Sequence, residues 1–297
     1  MSCALHHDLR GELKLNEPLA KHTSWRVGGI AQRFYQPADA EDLATFLSQL
    51  PENEALMWLG LGSNLLVRDG GFAGTVIASA GTLQAIEIEG NQVSAEVGVY
   101  CGKLAKQAAK AGLAGGAFLA GIPGTLGGAL AMNAGAHGSE TWDFVYELTT
   151  VDRSGTLRQR PKTDFKVSYR HVQAPEGEWF VAAKLLFTQG DSQQEQALIR
   201  DLLKKRNASQ PTNQPCAGSV FRNPPGDYAG RLIEVSGLKG LRVGGASVSE
   251  KHANFIVSDV NASAEDIETL IHLVQQKVEM QHGVKLVPEV HIVGERA

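Results

Sequence analysis

The 297-residue sequence has few cysteines, no excess of basic charge and no segment apolar enough to cross a membrane. Its cysteines, Cys3, Cys101 and Cys216, are widely spaced and show neither zinc-site spacing nor a disulfide framework. A net charge of −4 excludes the basic footprint of a protein that binds nucleic acid or anionic membranes. The short basic cluster at 204–206 falls at a predicted helix end, where such charges are usually solvated.

The N-terminal sequence MSCALHHDLRGELKL lacks the apolar region of a signal peptide. Together with the cysteine usage, this predicts a cytoplasmic protein, and no metal site is expected. A hydrophobic content of 43% and a charged content of 20% are typical of globular proteins. At about 150 residues per domain, the length predicts roughly two domains.

What the chain does have is a long stretch rich in glycine, residues 112–138, called the glycine run below. Its 27 residues include nine glycines and no Asp, Glu, Lys or Arg. The glycines, Pro123 and Asn133 make it too polar and too broken for a membrane helix. Dense glycine lets several backbone N–H groups face one anion, and a helix over Thr125–Met132 would add its positive dipole end. The run is either a cradle for a nucleotide pyrophosphate or a tightly packed structural corner.

A second glycine-containing segment, GLGSNLLV at Gly60–Val67, follows a predicted strand. It has G-x-G but no third glycine and no immediate helix, so it is not a Rossmann dinucleotide fingerprint. Two small-residue turns can still clasp one pyrophosphate from both sides. The alternative is a plain strand–turn–strand corner.

The remaining pattern predicts an α+β protein. Glycine and capping signals predict helices and strands in mixed order, and Ser192 and Glu195 form a capping-box pattern. The predicted helices span 39–50, 101–111, 192–206, 227–235 and 263–282. The predicted strands span 55–59, 65–67, 74–78, 83–89, 92–99, 144–152, 156–160, 179–188, 253–257 and 284–293. A boundary near Gly190 divides 1–190, in subdomains of about 1–78 and 79–190, from 191–297.

Three polar residues are candidates for chemistry. Ser219 follows Gly218 in an apolar stretch and is either a structural hydroxyl or a proton donor, since no G-x-S-x-G elbow surrounds it. Arg170 lies beside an aromatic residue at the end of a strand-like segment. Glu289 stands alone among Val and Ile, which is costly unless it is paired or protonated. Alternatively, Glu289 and His291 share a solvent-facing strand surface.

The order of these segments resembles one family. TSWRVGG, GLGSNLLV, GIPGTLGGALAMNAGAHG, SYRH, AGSVFRNP, GDYAGRLIE, GLKG, SEKHANFIV and PEV are similar to the UDP-N-acetylenolpyruvoylglucosamine reductases (MurB), over roughly 15–294. The short stretch from Arg170 to Trp179 resembles the shorter form, which lacks a tyrosine-bearing loop. GLGSN alone is a weak signal, whereas AGSVFRNP with the glycine run and a terminal PEV is strong.

The resemblance implies an FAD-binding lobe of the vanillyl-alcohol-oxidase/p-cresol-methylhydroxylase type, in residues 1–190, and a separate α+β substrate-binding lobe. It implies non-covalent FAD, with NADPH as reductant. The residues it implies for the cofactor are Gly60, Leu61, Gly62, Ser63, Asn64, Leu65, Gly121, Ile122, Pro123, Gly124, Thr125, Gly127, Gly128, Ala129, Asn133, Gly135 and Arg222.

The implied reaction is reduction of UDP-N-acetylglucosamine enolpyruvate to UDP-N-acetylmuramate for peptidoglycan synthesis. Hydride from flavin N5 goes to the enolpyruvyl methylene, and Ser219 protonates the adjacent carbon. Arg170 and Glu289 are implied to stabilise the enolate-like charge. Positioned groups of this kind are effective because they face charge that develops only in the transition state. Asn223 and Lys251 are implied in substrate binding.

The sequence departs from the family pattern at three positions: His291 replaces a usual arginine, Val172 a frequent serine and Cys216 a small polar residue. Two alternatives stay open. One is another FAD oxidoreductase of the same lobe type, with flavin tethered through His137 or Cys101. The other is a nucleotide-binding protein without turnover.

Overall fold

The structure is a computed structural model that describes residues 8–297; Cys3 and the first part of the N-terminal sequence considered above lie outside the described residues. The helices are α1 Ala40–Ser48, α2 Cys101–Lys110, α3 Leu126–Met132, α4 Ser192–Ser209, α5 Ala229–Val235 and α6 Ala264–His282. The strands are β1 Glu12–Pro18, β2 Ile30–Gln36, β3 Leu56–Leu59, β4 Leu65–Val67, β5 Phe72–Ala78, β6 Ile86–Glu89, β7 Gln92–Glu96, β8 Leu113–Ala114, β9 Gly135–Ala136, β10 Ser139–Glu140, β11 Val145–Asp152, β12 Leu157–Pro161, β13 Lys166–Ser168, β14 His171–Gln173, β15 Glu178–Leu186, β16 Thr188–Gln189, β17 Arg242–Val243, β18 Ala246–Val248, β19 Ile256–Ser258 and β20 His291–Val293.

The chain forms two compact units, each assembled from separate segments. Unit 1 contains the described residues up to Lys14, Arg33–Leu61 and Gly74–Lys204. Unit 2 contains Leu15–Gln32, Gly62–Ala73 and Lys205–Ala297. The functional division at residue 190 stays a prediction, and the segments 15–32 and 62–73 group with the C-terminal residues.

Unit 1 is built around a five-stranded antiparallel sheet in the order β12-β11-β15-β7-β6. The predicted hairpin around Gly90 and Asn91 is confirmed as β6–β7, and Gly90 has the positive φ of 60° that its turn requires. Alternate residues of the strands face a core that also takes in buried residues of α2 and α3, such as Leu104 and Leu126. Because α3 belongs to the glycine run, part of that run packs in the core beside this sheet.

The N-terminal part of unit 1 pairs β3 with β5 in parallel. Asp39 begins α1 by accepting the Asp42 N–H at 2.9 Å, as the sequence predicts. Behind this helix the Tyr35 ring stacks on Phe46 at 3.7 Å and its hydroxyl donates to the Asp42 carboxylate. Burial, followed by this hydrogen bond, raises the pKa of Tyr35 above its usual range. This pair is structural.

Unit 2 combines the sheet β17-β18-β19, the parallel pair β4–β20 and the helices α5 and α6. Ser263 and Asp266 form the capping box of α6, and Gly283 ends it in the left-handed conformation, as the sequence predicts. The Arg68 guanidinium holds Glu268 of α6 in a two-pronged contact of 2.8 and 2.9 Å. Hydrogen bonding by Arg68 lowers the pKa of Glu268 to about 2.

The predicted helix beginning at Ser192 is confirmed as α4, but its predicted capping box and the predicted length of the final strand are wrong. The helix beginning near Ser192 is capped by Asp191, whose carboxylate accepts the Gln194 N–H at 2.8 Å, while the Ser192 hydroxyl donates to Lys110 O. The final strand covers only His291–Val293, because its partner β4 offers three residues and Pro288 has no N–H to donate. Among residues 8–297, no helix is both long and apolar enough to span a bilayer.

Candidate functional site

A cluster of two glycines around one buried hydroxyl stands out in unit 1; we call Gly60, Thr125 and Gly128 the glycine corner. Thr125 is 1% exposed, and within the described residues its Oγ1 has no hydrogen-bond partner. A Cβ on Gly60 would lie 2.4 Å from that Oγ1, and one on Gly128 would lie 4.0 Å from it. A buried hydroxyl without a partner costs roughly 1–3 kcal/mol, so the corner is suited to an external acceptor such as a phosphate oxygen.

The backbone of the glycine run donates less to a ligand than the sequence suggests. The N–H groups of Leu126 and Gly127 donate to Val99 O and Val97 O at 2.8 and 2.9 Å. A Cβ on Gly127 would lie 2.9 Å from the Cβ of Val97, so this glycine permits close packing of α3. The packed-corner interpretation therefore holds for Leu126 and Gly127, whereas the cradle interpretation stays a prediction for the other residues of the run.

Arg170 occupies the turn of a short hairpin in unit 1. Ser168 of β13 pairs with His171 of β14, which leaves Tyr169 and Arg170 as the two turn residues. Arg170 has a positive φ of 54°, a conformation that is costly for a residue with a side chain. Its guanidinium lies 5.1 Å from the centre of the Tyr169 ring. Strain of this kind persists only where the surroundings enforce it, and it clusters at functional sites.

The Arg170 side chain reaches the C-terminal end of the glycine run. It donates to Asn133 O at 3.1 Å and to Gly135 O at 2.9 Å. A Cβ on Gly135 would lie 3.1 Å from the arginine Nη1, so the missing side chain admits the guanidinium. Asn133 also has a positive φ, of 44°, and its amide donates to Glu140 at 2.7 Å. The run and the arginine hairpin thus form one hydrogen-bonded assembly.

In unit 2, Ser219 begins residues 219–222, which we call the serine segment. Backbone hydrogen bonds hold it on two sides: Val220 N donates to Asn254 O at 2.9 Å, and Glu289 N donates to Val220 O at 2.7 Å. Before the serine, Gly218 N donates to Ser63 O at 3.0 Å. The structure therefore brings Ser219 and Glu289 onto adjacent strands of chain.

Glu289 is held by its backbone and is partly buried. The Asn64 side-chain amide donates to Glu289 O at 3.0 Å, and His291 N donates to Asn64 O at 3.0 Å. The interpretation of Glu289 and His291 as two residues of one strand face is wrong, since β20 begins only at His291. Asn64 of the GLGSN segment therefore positions the Glu289 backbone.

Arg222 at the end of the serine segment lies near His291. The Arg222 N–H donates to Val287 O at 2.9 Å, which carries the segment past Pro288. Partial burial of the ring and the positive charge of Arg222 lower the pKa of His291. The ring in the position of the usual arginine is therefore biased towards its neutral form.

The two predicted substrate-binding residues in unit 2 are exposed and engaged within the protein. Asn223 Oδ1 accepts the Ala229 N–H at 3.1 Å, at the start of α5. The Lys251 ammonium donates to Asn207 O at 2.5 Å. A ligand that recruits Lys251 has to displace this contact.

The other residues predicted for the cofactor fall into both units. Leu61, 40% exposed, belongs to unit 1 with Gly121, Ile122, Pro123, Gly124 and Ala129. Gly62, Ser63 and Leu65 belong to unit 2. Gly62 has a φ of +60°, and a Cβ there would lie 2.2 Å from His22 O, so the turn admits only glycine.

Comparison with known proteins identifies relatives over nearly the full length. The chain is 60% identical over 285 residues to UDP-N-acetylenolpyruvoylglucosamine reductase of Alkalilimnicola ehrlichii, covering 96% of each chain. It is 59% identical over 290 residues to the reductase of the same name from Nitrosococcus oceani, covering 97% of each. The chain belongs to the UDP-N-acetylenolpyruvoylglucosamine reductase family.

The comparisons with family profiles and solved structures agree with this membership. The profile of the UDP-N-acetylenolpyruvoylglucosamine reductase C-terminal domain matches residues 210–293, and that of an FAD binding domain matches residues 31–159. The crystal structure of the reductase (MurB) from Thermus caldophilus has a TM-score of 0.82 at 32% identity, covering 96% of this chain and 99% of that one. A likeness of fold alone extends to 6-hydroxy-D-nicotine oxidase from Arthrobacter nicotinovorans, with a TM-score of 0.57 at 13% identity, covering 97% and 88%.

This reductase-family chain is an FAD-dependent oxidoreductase. It is an α+β protein with an FAD-binding lobe of the vanillyl-alcohol-oxidase/p-cresol-methylhydroxylase type and a second α+β lobe. The residues of the glycine corner fit the cofactor, because the buried Thr125 hydroxyl between Gly60 and Gly128 can donate to an oxygen of the FAD pyrophosphate.

One residue that sequence reasoning missed is Asn254. It lies in the SEKHANFIV motif, is 4% exposed and bonds to both backbone groups of Phe221. A buried asparagine in an apolar stretch is the signal that could have identified it, since buried amides are hydrogen-bonded.

Proposed function

We propose that this chain reduces UDP-N-acetylglucosamine enolpyruvate to UDP-N-acetylmuramate at the expense of NADPH, in peptidoglycan precursor synthesis. The observation that carries the proposal is the 60% identity to a named reductase over 96% of the chain. It is supported by the serine segment, which holds Ser219 beside Glu289 through the 2.7 Å bond from Glu289 N to Val220 O. A reaction that uses NADPH and a UDP-sugar fits the cytoplasmic location expected from the sequence.

The proposed cofactor site uses the residues expected from the sequence, with separate tasks. Thr125 donates its hydroxyl to a pyrophosphate oxygen; the missing Cβ of Gly60 makes room for that hydroxyl, and the missing Cβ of Gly128 leaves space beside it. Gly127 and Gly135 act instead through the close approaches of Val97 and Arg170 that they allow. Arg222 is proposed to contact FAD as well, as are Gly62, Ser63, Asn64 and Leu65. When bound, the flavin supplies hydride to the terminal methylene carbon of the enolpyruvyl group.

The proton chemistry falls to this chain's own side chains. Ser219 gives the proton of its hydroxyl to the carbon that bears the carboxylate. An unactivated hydroxyl is a weak acid, so nearby charge has to assist the transfer. Arg170 and Glu289 stabilise the negative charge that develops there, Glu289 as a proton-bearing partner.

The substrate is held by polar residues outside the serine segment. Asn223 and Lys251 are proposed to bind it, and Lys251 exchanges its 2.5 Å contact with Asn207 O for substrate. Because the lowered pKa of His291 favours the neutral ring, Arg222 is the residue of this pair that keeps its positive charge.

Non-covalent FAD is supported by the state of Cys101. This thiol is fully buried, and burial raises its pKa to about 12, so it supplies no thiolate for a flavin bond near neutral pH. Denaturation should therefore release all yellow colour from the chain. Colour that stays with the polypeptide would refute the non-covalent proposal and point to His137.

Two half-reactions test the proposed function. NADPH added anaerobically to the yellow protein should bleach the flavin absorbance, and UDP-N-acetylglucosamine enolpyruvate added next should restore it. Product formation equal to the flavin reoxidised would establish the reaction. A protein that binds the UDP-sugar but neither bleaches nor recovers would instead be a nucleotide-binding protein without turnover.

A further inference from the structure

The amide side chain of Asn254 pairs with the backbone N–H and the backbone C=O of one residue of the serine segment, Phe221. Asn254 Oδ1 accepts the Phe221 N–H at 3.0 Å, and its Nδ2 donates to Phe221 O at 2.8 Å. The residue is 4% exposed, so water does not compete for these bonds. A primary amide is the side chain whose adjacent donor and acceptor match a backbone N–H and C=O at once.

The same asparagine also holds the neighbouring residue and is itself anchored. Asn254 O accepts the Val220 N–H at 2.9 Å, and Asn254 N donates to His252 Nδ1 at 3.2 Å. Three hydrogen bonds from one residue therefore fix the three successive peptide units that follow Ser219, from Ser219–Val220 to Phe221–Arg222. On the opposite edge, Val220 O accepts from Glu289 N at 2.7 Å.

The surroundings of Ser219 leave its backbone dependent on these bonds. A Cβ on the preceding Gly218 would meet nothing within 4 Å, so there is open space beside the serine. Side chains of Val220 and Phe221 are 1% and 2% exposed and fill the core behind it. Without the Asn254 side-chain bonds, the buried N–H and C=O of Phe221 would lack partners. The serine segment would shift to satisfy them, because an unpaired buried polar group is costly.

We propose that Asn254 is a positioning residue for Ser219, setting the placement of the serine hydroxyl through the Val220 and Phe221 peptides. This inference rests on the proton-donor role proposed for Ser219. Catalytic groups have to be held within a fraction of an ångström, and supporting hydrogen bonds provide that precision.

The test is a double-mutant cycle on the reoxidation half-reaction, using the complete FAD-loaded protein. Asn254→Ala should slow reoxidation by UDP-N-acetylglucosamine enolpyruvate at least tenfold, while reduction by NADPH stays within twofold of the parent. In the Ser219→Ala background the same change should slow reoxidation less than twofold, because residues that act through one another are not additive. Asn254→Asp, which keeps the shape but presents an oxygen to Phe221 O, takes its place if Asn254→Ala does not fold.

Ser258→Ala is the matched control. Ser258 is 5% exposed, lies in β19 and donates its hydroxyl to Trp25 O at 2.7 Å, so its loss removes a buried side-chain-to-backbone bond away from the serine segment. It should lower the melting temperature while leaving reoxidation within twofold. Equal slowing by Ser258→Ala, or a full additive effect of Asn254→Ala in the Ser219→Ala background, would overturn the positioning role. Normal reoxidation in Ser219→Ala itself would refute the role of the serine and, with it, this inference.

Discussion

The glycine corner of unit 1 and the serine segment of unit 2 achieve precision by opposite means. At the corner the important feature is missing atoms: a Cβ on Gly60 would lie 2.4 Å from a hydroxyl that has no partner among the described residues. In the serine segment the important feature is saturation, since Val220 is bonded from both sides and Asn254 bonds to both backbone groups of Phe221. One cluster has a buried donor without a partner, which we propose serves a ligand, and the other is held by the protein's own hydrogen bonds.

The difference follows from what each site has to do. A cofactor brings its own hydrogen-bonding oxygens, so the protein provides space and an unsatisfied donor. A proton donor needs a fixed location relative to the reacting carbon, so the protein immobilises its backbone. Substitutions in the corner are therefore expected to change cofactor retention, and substitutions in the segment to change rates.

The largest effect is expected from Ser219→Ala. Removing the proton donor should slow flavin reoxidation by substrate by about 10²–10⁴-fold, the usual contribution of general acid catalysis, with reduction by NADPH nearly unchanged. Stopped-flow absorbance of the two half-reactions measures this. Ser247→Ala, in β18 of the same unit, is the control and should leave both rates alone. Equal reoxidation rates in the parent and Ser219→Ala would remove Ser219 from the mechanism.

The next effect is expected from Gly60→Ala. The added methyl group displaces the Thr125 hydroxyl, which is the donor proposed for a phosphate oxygen, so we expect FAD affinity to fall about 100-fold. Titration of apoprotein with FAD measures it. Gly102→Ala is the matched control, because a Cβ there meets nothing within 4 Å and the residue lies in α2. Retention of FAD by Gly60→Ala at the parent affinity would show that the corner faces no cofactor.

A smaller effect is expected from Thr125→Val, which should raise the stability of the apoprotein and lower its affinity for FAD. The hydroxyl makes no cap bond in α3 and is buried without a partner, so its replacement by a methyl group should stabilise the apoprotein by about 1 kcal/mol. FAD affinity should fall about tenfold, because a hydrogen bond to a charged oxygen is lost. Thermal unfolding of the apoprotein measures the change in stability, and titration with FAD measures the change in affinity. Unchanged FAD affinity would assign the hydroxyl to packing alone.

The smallest effect on turnover is expected at Glu268, which belongs to neither site. Because Arg68 lowers its pKa to about 2 from 4.5, the ion pair stabilises the fold fully above pH 4.5 and less as the pH falls towards 2. Glu268→Gln should therefore lower stability at pH 7, and its deficit against the parent should shrink below pH 4.5. Denaturant unfolding at pH 7 and 3 measures this, with the exposed Glu279→Gln of the same helix as control. A deficit that is constant with pH would contradict the ion-pair account.

Local sequence signals predicted local structure well. Asp39 and Ser263 begin their helices as expected, and Gly283 ends α6, because capping depends on residues within one turn. The β6–β7 hairpin follows from Gly90 and Asn91 for the same reason. The family resemblance extended this to the fold class and to FAD.

What the sequence could not predict depends on partners far along the chain. The Gly127 N–H donates to Val97 O, a residue 30 positions earlier in the chain. The left-handed φ of Arg170 depends on its hairpin and on the contact of its side chain with Asn133 O. Asn254 acts on Phe221, 33 residues away. The grouping of residues 62–73 with the C-terminal unit likewise reflects parallel pairing of β4 with β20, which no local pattern encodes.

The most direct test compares reoxidation of two variants loaded to saturation with FAD and reduced by NADPH. The account predicts that fully loaded Gly60→Ala is reoxidised by UDP-N-acetylglucosamine enolpyruvate within a few-fold of the parent, while Ser219→Ala is slowed by orders of magnitude. That result would assign cofactor retention to Gly60 and proton transfer to Ser219. Equal slowing of both variants, or faster loss of FAD from Ser219→Ala than from Gly60→Ala, would contradict it.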